Sequence, residues 1–139
     1  MDELDRQILA ILRRDARTPY TEIAAEVETS EGTVRNRVDR MVESGVIERF
    51  TVATRTGNVK AMIDIGVAVD VDARETTSRM AGWEEVDFAW QVSGEDDIVL
   101  VVDAADTRGI NDLITKAREQ DEVVSTKTRL ILDEKRGGP

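Results

Sequence analysis

Thr29–Gly45, TSEGTVRNRVDRMVESG, reads as one helix with a start, a buried stripe, a second stripe and a stop. Ser30 suits the N-cap, because its hydroxyl can accept an orphan N–H of the first turn. Gly45 suits the stop, since glycine tolerates the left-handed conformation just past a helix end. Val34, Val38, Met41 and Val42 recur at helical spacing and form an apolar stripe. At about 100° per residue, Thr33, Asn36, Arg37 and Arg40 form another stripe, well away from the first. One hydroxyl, one amide and two guanidiniums are groups that bond to base edges and phosphates. A solvated helix face is the plain alternative.

Outward toward the N-terminus, Asp2 can cap a helix running to about Arg14. Leu4, Ile8, Ile11 and Leu12 share one of its faces, with Leu9 beside them. Asp15–Thr18 and Pro19 break it. Thr21 is expected to cap a short second helix, Glu22–Glu28, with Ile23, Ala24 and Val27 apolar. Helix, helix, short turn, helix is a helix-turn-helix unit, whose third helix enters the major groove by its N-terminal half. Ala24, Ala25 and Gly32 are small enough to permit close approach of helices or backbone. A generic three-helix bundle has the same periodicity.

Outward toward the C-terminus, Val46–Val52 is rich in strand formers, and Thr56-Gly57-Asn58 is a turn. Glu48–Thr54 is expected as a strand or arm between two modules. A helical module of about 55 residues is marginal alone, so it needs support from the second module or a partner chain. Ala61–Val71 alternates strictly, with Ala61, Ile63, Ile65, Val67, Val69 and Val71 on one side. A helix follows over Asp72–Ala81, stopped by Gly82. Val86, Phe88, Trp90 and Val92 alternate as a second strand, with Phe88 and Trp90 expected in the core. Ser93–Asp97 is a turn, and Ile98–Val102 is a strand covered on both faces. Asp106 caps a helix with Ile110, Leu113, Ile114 and Ala117 on one face. Val123–Leu132 is the last strand, and Asp133–Pro139 is expected to fray.

The expected class is therefore α+β. A helix-turn-helix domain occupies 1–47, a strand or linker 48–58, and a ferredoxin-like βαββαβ domain 59–136. Two helices cover only one face of a four-stranded sheet. The other face carries Met62, Gly66, Ala68 and part of Ile98–Val102, and is expected to pack on a second copy.

Composition excludes several classes. There are no cysteines and no histidines, so thiol chemistry, the commonest metal ligand and the commonest general base are missing. No run approaches the roughly 20 apolar residues of a spanning helix, and no apolar signal region opens the chain, so a cytoplasmic protein is expected. The net charge of −10 is unevenly placed: residues 1–60 carry −1 and residues 61–139 carry −9. Acidic excess with 4 lysines against 15 arginines resembles the surfaces of salt-loving archaeal proteins. In molar salt the Debye length is about 3 Å, so self-repulsion costs little. Counterion release is weakened too, and a DNA binder there depends on short-range contacts.

Across nearly its whole length the chain resembles the Lrp/AsnC, or feast/famine, family of transcription regulators. Asp2–Leu12, Asp15-Ala16-Arg17 and Tyr20–Ala24 resemble that family's first two helices. Ser30, Thr33-Val34-Arg35, Arg37-Val38, Met41 and Glu43–Ile47 resemble its recognition helix and exit. Gly94-Glu95-Asp96-Asp97 resembles the Gly-Asp-x-Asp turn of its effector (RAM-type) module, and Thr126-Lys127-Thr128 with Leu130-Ile131 resembles its last strand. The resemblance implies a sequence-specific regulator of double-stranded DNA, a homodimer and often an octamer, that binds an amino acid between dimers. DNA contacts are then expected from Ser30, Gly32, Thr33, Asn36, Arg37 and Arg40. Effector contacts carry over to Gly94, Asp97, Thr107, Arg129, Leu130 and Ile131. Two positions depart from the pattern. Arg129 stands where relatives can have an apolar or aromatic residue. Glu31-Gly32 follows Ser30 where proline is usual, though Glu31 suits the positive helix end.

Other side chains carry simpler expectations. Arg35 lies four before Asp39 and is expected to pair with it. Arg49 and Arg55 are candidate phosphate holders or plain exposed charges. Glu95-Asp96-Asp97 is a solvated turn, or a grip for an ammonium group or divalent cation. No metal or cofactor is implied. Two other classes fit the same modules. One is an effector or oligomerisation module without DNA binding, against which the arginines of the Ser30 helix argue. The other is an enzyme of the siroheme decarboxylase kind, which relies on histidines that this chain lacks. The purified protein is expected to show no haem-type absorbance band; such a band would return the enzyme class.

Overall fold

The computed structural model describes residues 1–137. It divides into two units, Met1–Thr54 with Arg136 and Gly137, and Arg55–Lys135.

Three helices build the first unit: α1 (Glu3–Arg14), α2 (Tyr20–Glu26) and α3 (Glu31–Glu43). Asp2 caps α1 through a reciprocal box with Asp5, and basic Arg13 and Arg14 sit in its last turn, which suits the helix dipole. The second helix starts earlier than expected. Pro19, not Thr21, is its N-cap residue, and no side chain caps it. Proline presets the backbone at the helix start, and its carbonyl accepts from the Glu22 and Ile23 N–H groups at 3.0 and 3.1 Å. Ile8, Ile11, Leu12, Ile23, Ala24, Val34, Val38 and Met41 form one core. Burying each large apolar side chain contributes about 1.5–3 kcal/mol. Val42 is not part of it: it is 46% exposed, and the α3 stripe is narrower than its sequence suggests. Ala25 is exposed as well. The segment Glu48–Thr54 forms no strand, and Phe50 and Val52 are exposed. A strand needs a neighbouring strand to satisfy its N–H and C=O groups, and none of the described strands pairs with this stretch.

A four-stranded antiparallel sheet builds the second unit, from β1 (Val59–Val67), β2 (Val86–Gln91), β3 (Ile98–Ala104) and β4 (Val123–Leu130) in the order β2-β3-β1-β4. α4 (Ala73–Ala81) and α5 (Thr107–Arg118) connect the strands in the βαββαβ order. Ala61, Ile63 and Ile65 of β1 join Ile98, Leu100 and Val102 of β3 in one core with Met80 of α4 and Ile110, Leu113 and Ala117 of α5. Both helices therefore cover the same face.

Four expectations need correction here. β1 ends at Val67, where a register shift beside Gly66 breaks the ladder, and Val69 is fully exposed. β4 ends at Leu130 instead of Leu132. Phe88 and Trp90 are not core residues: they are 51% and 47% exposed. A bulge between Val86 and Phe88 reverses the alternation, so Val86 and Ala89 pack on the core while Phe88 and Trp90 stand beside Val101 and Val99. Nor is the tail loose at Glu134, whose carboxylate accepts from Lys60 Nζ at 3.3 Å and whose carbonyl accepts from Arg55. Gly138 and Pro139 lie outside the described residues.

The uncovered face thus carries Phe88, Trp90, Val99, Val101, Met62 and Gly66. Beside them Asp64 is 5% exposed and bonded to Arg129 at 3.2 Å. On the covered face, a Cβ on Gly109 would lie 2.9 Å from the Ala104 Cβ. Gly109→Ala should therefore push α5 off β3 and destabilise the unit by about 1–3 kcal/mol, read by urea denaturation. Wild-type stability in that variant would show that the helix seat is not tight.

Candidate nucleic-acid interface

The stripe on α3 stands on a well-defined helix. Ser30 adopts an extended backbone and its Oγ accepts from the Thr33 N–H at 3.1 Å. The same Oγ lies 2.8 Å from the Thr33 hydroxyl. At the other end Gly45 takes a φ of +78°, the left-handed stop that its sequence position suggested. Val34 and Val38, fully buried, fix which way the helix faces.

The six expected DNA residues fall into three groups. Asn36 and Arg40 are exposed, and Arg40 has no ion-pair partner among the described residues. Ser30, Gly32 and Thr33 form the N-terminal turn. The close approach expected of Gly32 is not to its own fold: a Cβ there would meet nothing within 4 Å. That leaves room for an external surface. Arg37 differs from the rest. Its Nη1 donates to Asp2 Oδ2 and, at 3.2 Å, to Asp5 Oδ1. The guanidinium holds the Asp2 carboxyl down at about 2, with help from the Asp5 N–H, and the two carboxylates hold Arg37 charged.

Arg35 does not pair with Asp39. It bonds Glu31 at 2.8 Å, one turn back, and lies 5.3 Å from the Tyr20 ring centre. The pairing in that direction also places the acid nearer the positive end of the helix. Asp39 and Glu43 are left beside Arg40 on the outer surface of α3. Arg49 is exposed; Arg55 donates to the Glu134 carbonyl.

One feature of the turn was invisible to pattern reading. Glu28, between α2 and α3, has a φ of +56°, and the Thr29 N–H returns to the Ala24 carbonyl at 2.9 Å. Left-handed backbone costs a non-glycine residue about 1–2 kcal/mol. A glycine or asparagine there would have signalled the turn; a glutamate does not.

The six expected effector residues do not converge within one chain. Gly94 and Asp97 lie in the turn before Ile98, at one end of β3. Thr107 follows Ala104 at the other end of β3, about 20 Å away along the strand. Leu130 is registered to Ala61, and Ala61 to Val102, which places the end of β4 with Thr107. Neighbouring Arg129 and Leu130 also point to opposite faces. Asp97 has a structural task, since its Oδ2 accepts from the Val67 N–H at 2.9 Å where β1 ends. Asp96 pairs loosely with Lys127 at 3.8 Å. Among the described residues no group of three or more His, Cys, Asp or Glu could hold a metal ion, and no helix is long and apolar enough to cross a membrane.

Comparison with known proteins covers both units. Residues 1–42 match the family model for the AsnC-type helix-turn-helix domain, and residues 60–139 match that for the Lrp/AsnC ligand binding domain. The chain is 35% identical over 133 residues to the HTH-type transcriptional regulator LysM of Sulfurisphaera tokodaii, covering 95% of both chains. Its fold is similar to that of the leucine response regulatory protein LrpA of Mycobacterium tuberculosis, with a TM-score of 0.86 and 25% identity over 100% of both chains. It is also similar to the transcriptional regulator NMB0573 of Neisseria meningitidis, solved as a complex with L-Met. There the TM-score is 0.83, at 19% identity over 99% of this chain and 94% of that one, a likeness of fold alone.

Acid should weaken the first unit through Asp2. Its carboxyl falls from 3.8 to about 2 on folding, so the stabilisation is complete above pH 3.8 and disappears as pH drops through about 2. Helix content measured against pH should fall in that window, and Asp2→Asn should flatten the dependence. An unchanged profile in that variant would remove Asp2 from the balance.

Proposed function

The chain belongs to the Lrp/AsnC family of helix-turn-helix transcription regulators, and on that premise we propose that α3 reads double-stranded DNA in the major groove. One observation carries this: Asn36 and Arg40 stand uncovered on a helix whose opposite face is fully buried. Asparagine pairs with adenine and arginine with guanine, each good bidentate contact being worth about 1–3 kcal/mol of discrimination. Ser30, Gly32 and Thr33 offer the positive helix end and an open surface to a phosphate. Arg37 lies on the same stripe with its guanidinium held by Asp2 and Asp5.

The ligand-binding domain takes an amino acid or a similar small effector in this reading, as the L-Met complex of a fold neighbour suggests. Its site is shared between copies. The turn at Gly94 and Asp97 from one copy meets Thr107 and Arg129, Leu130 and Ile131 from another, since the register keeps these groups apart in one chain. Pairing of the uncovered sheet faces makes the homodimer, and further contacts allow an octamer. Residues 1–47 act as the DNA-binding domain, 48–58 as the linker and 59–136 as the effector and assembly domain. The protein works in the cytoplasm, as a regulator and not an enzyme. The acidic second unit and the arginine-rich, lysine-poor composition fit a salt-loving archaeal cell.

Asn36→Ala and Arg40→Ala should each weaken binding to the chain's own upstream region by roughly 5- to 150-fold in a gel shift. The oligomer, followed by size exclusion, should be unchanged. Wild-type affinity in the double variant would exclude α3 from the interface. A thermal-shift screen of the twenty amino acids should raise the melting temperature with a small subset only; no shift with any of them would remove the amino-acid effector.

A further inference from the structure

Each carboxylate at the start of α1 has two tasks. Asp2 Oδ1 accepts from the Asp5 N–H and Asp5 Oδ2 from the Asp2 N–H, both at 3.0 Å. Their other oxygens take Arg37 Nη1 from α3. The helix cap fixes where the carboxylates point, and they fix where Arg37 points. Only 23% of the Arg37 side chain and 13% of the Asp5 side chain are exposed. Arg40, three residues on, is bound by nothing comparable.

We propose that Arg37 is a positioning residue rather than a DNA reader. With Asp2 and Asp5 it locks α3 to the start of α1, and it stays on those carboxylates when DNA is bound, so that Thr33, Asn36 and Arg40 meet the groove in register. The inference rests on α3 being the helix that contacts DNA. Moving Arg37 to a phosphate would strip two carboxylates of their cation, one of them mostly buried, beside a polymer of the same sign. Held in place, Arg37 offsets one of their two negative charges and lessens their repulsion of the duplex. The consequence opposes simple electrostatics: removing the two negative charges weakens specific binding.

The test uses the full chain, a fluorescein-labelled duplex of its own upstream region, an unrelated duplex of equal length, and anisotropy over a KCl series. Asparagine still caps a helix, so Asp2→Asn/Asp5→Asn removes the ion pairs and keeps the cap. This variant and Arg37→Met should each weaken the specific complex about fivefold, and their combination should add little, as expected for groups acting as one unit. Binding to the unrelated duplex and the salt slope should not change, whereas simple destabilisation would weaken both duplexes alike. Arg37→Lys should recover part of the specificity. If Arg37→Met unfolds the unit, the Lys and Asn variants still decide. Tighter binding by the Asn variant, or a salt slope lowered by about 1 on both duplexes in Arg37→Met, would make Arg37 a phosphate contact and overturn the proposal. Arg40→Met separates the two ideas. If it leaves binding and slope untouched, α3 is not the interface, however Arg37 behaves.

Discussion

Burial of Val34, Val38 and Met41 against α1 and α2 is the constraint on which the rest of the first unit depends. A helix fixed along one stripe has a fixed outer stripe. The turns before and after α3, the strained Glu28 and the left-handed Gly45, then set only where that stripe begins and ends. Rigidity matters because a base-edge hydrogen bond tolerates little displacement. Apolar packing restrains rotation of the helix, and the directional bonds from Asp2 and Asp5 to Arg37 restrain its slide along α1.

The same division of labour appears in the sheet. One face is filled by Ile63, Ile65, Leu100, Val102 and the two helices. The other mixes aromatic and aliphatic side chains with an Asp64–Arg129 ion pair that is nearly buried on the acid side. The presence of a charged residue at position 129 is thus explained locally. Arginine there neutralises an aspartate that would otherwise sit uncompensated on a largely apolar surface, at a cost of several kcal/mol.

Much of this was legible in the sequence because the signals were local. Periodicity located α1, α3 and α5, the Gly82 stop marked the end of α4, and the caps at Asp2, Ser30 and Asp106 were single residues of the right chemistry. What was missed was non-local or irregular. Arg37 and Asp2 are 35 positions apart, and no spacing rule connects them. The bulge at Asp87 moved Phe88 and Trp90 out of the core although the alternation was regular. Glu48–Thr54 has strand composition, but composition does not supply a partner. In the effector set, the register of β1, β3 and β4 separates residues that the resemblance grouped together, and no local pattern carries that register.

The absence of cysteine makes one experiment unusually clean. Gly32→Cys places a single thiol in open space at the start of α3, where a tethered iron chelate cuts DNA within its short reach. The account predicts localised cuts in the upstream duplex from that position, and none from the same probe on Arg13→Cys of α1. Equal cutting from both positions, or from neither while the complex still forms, would contradict the placement of this helix in the groove.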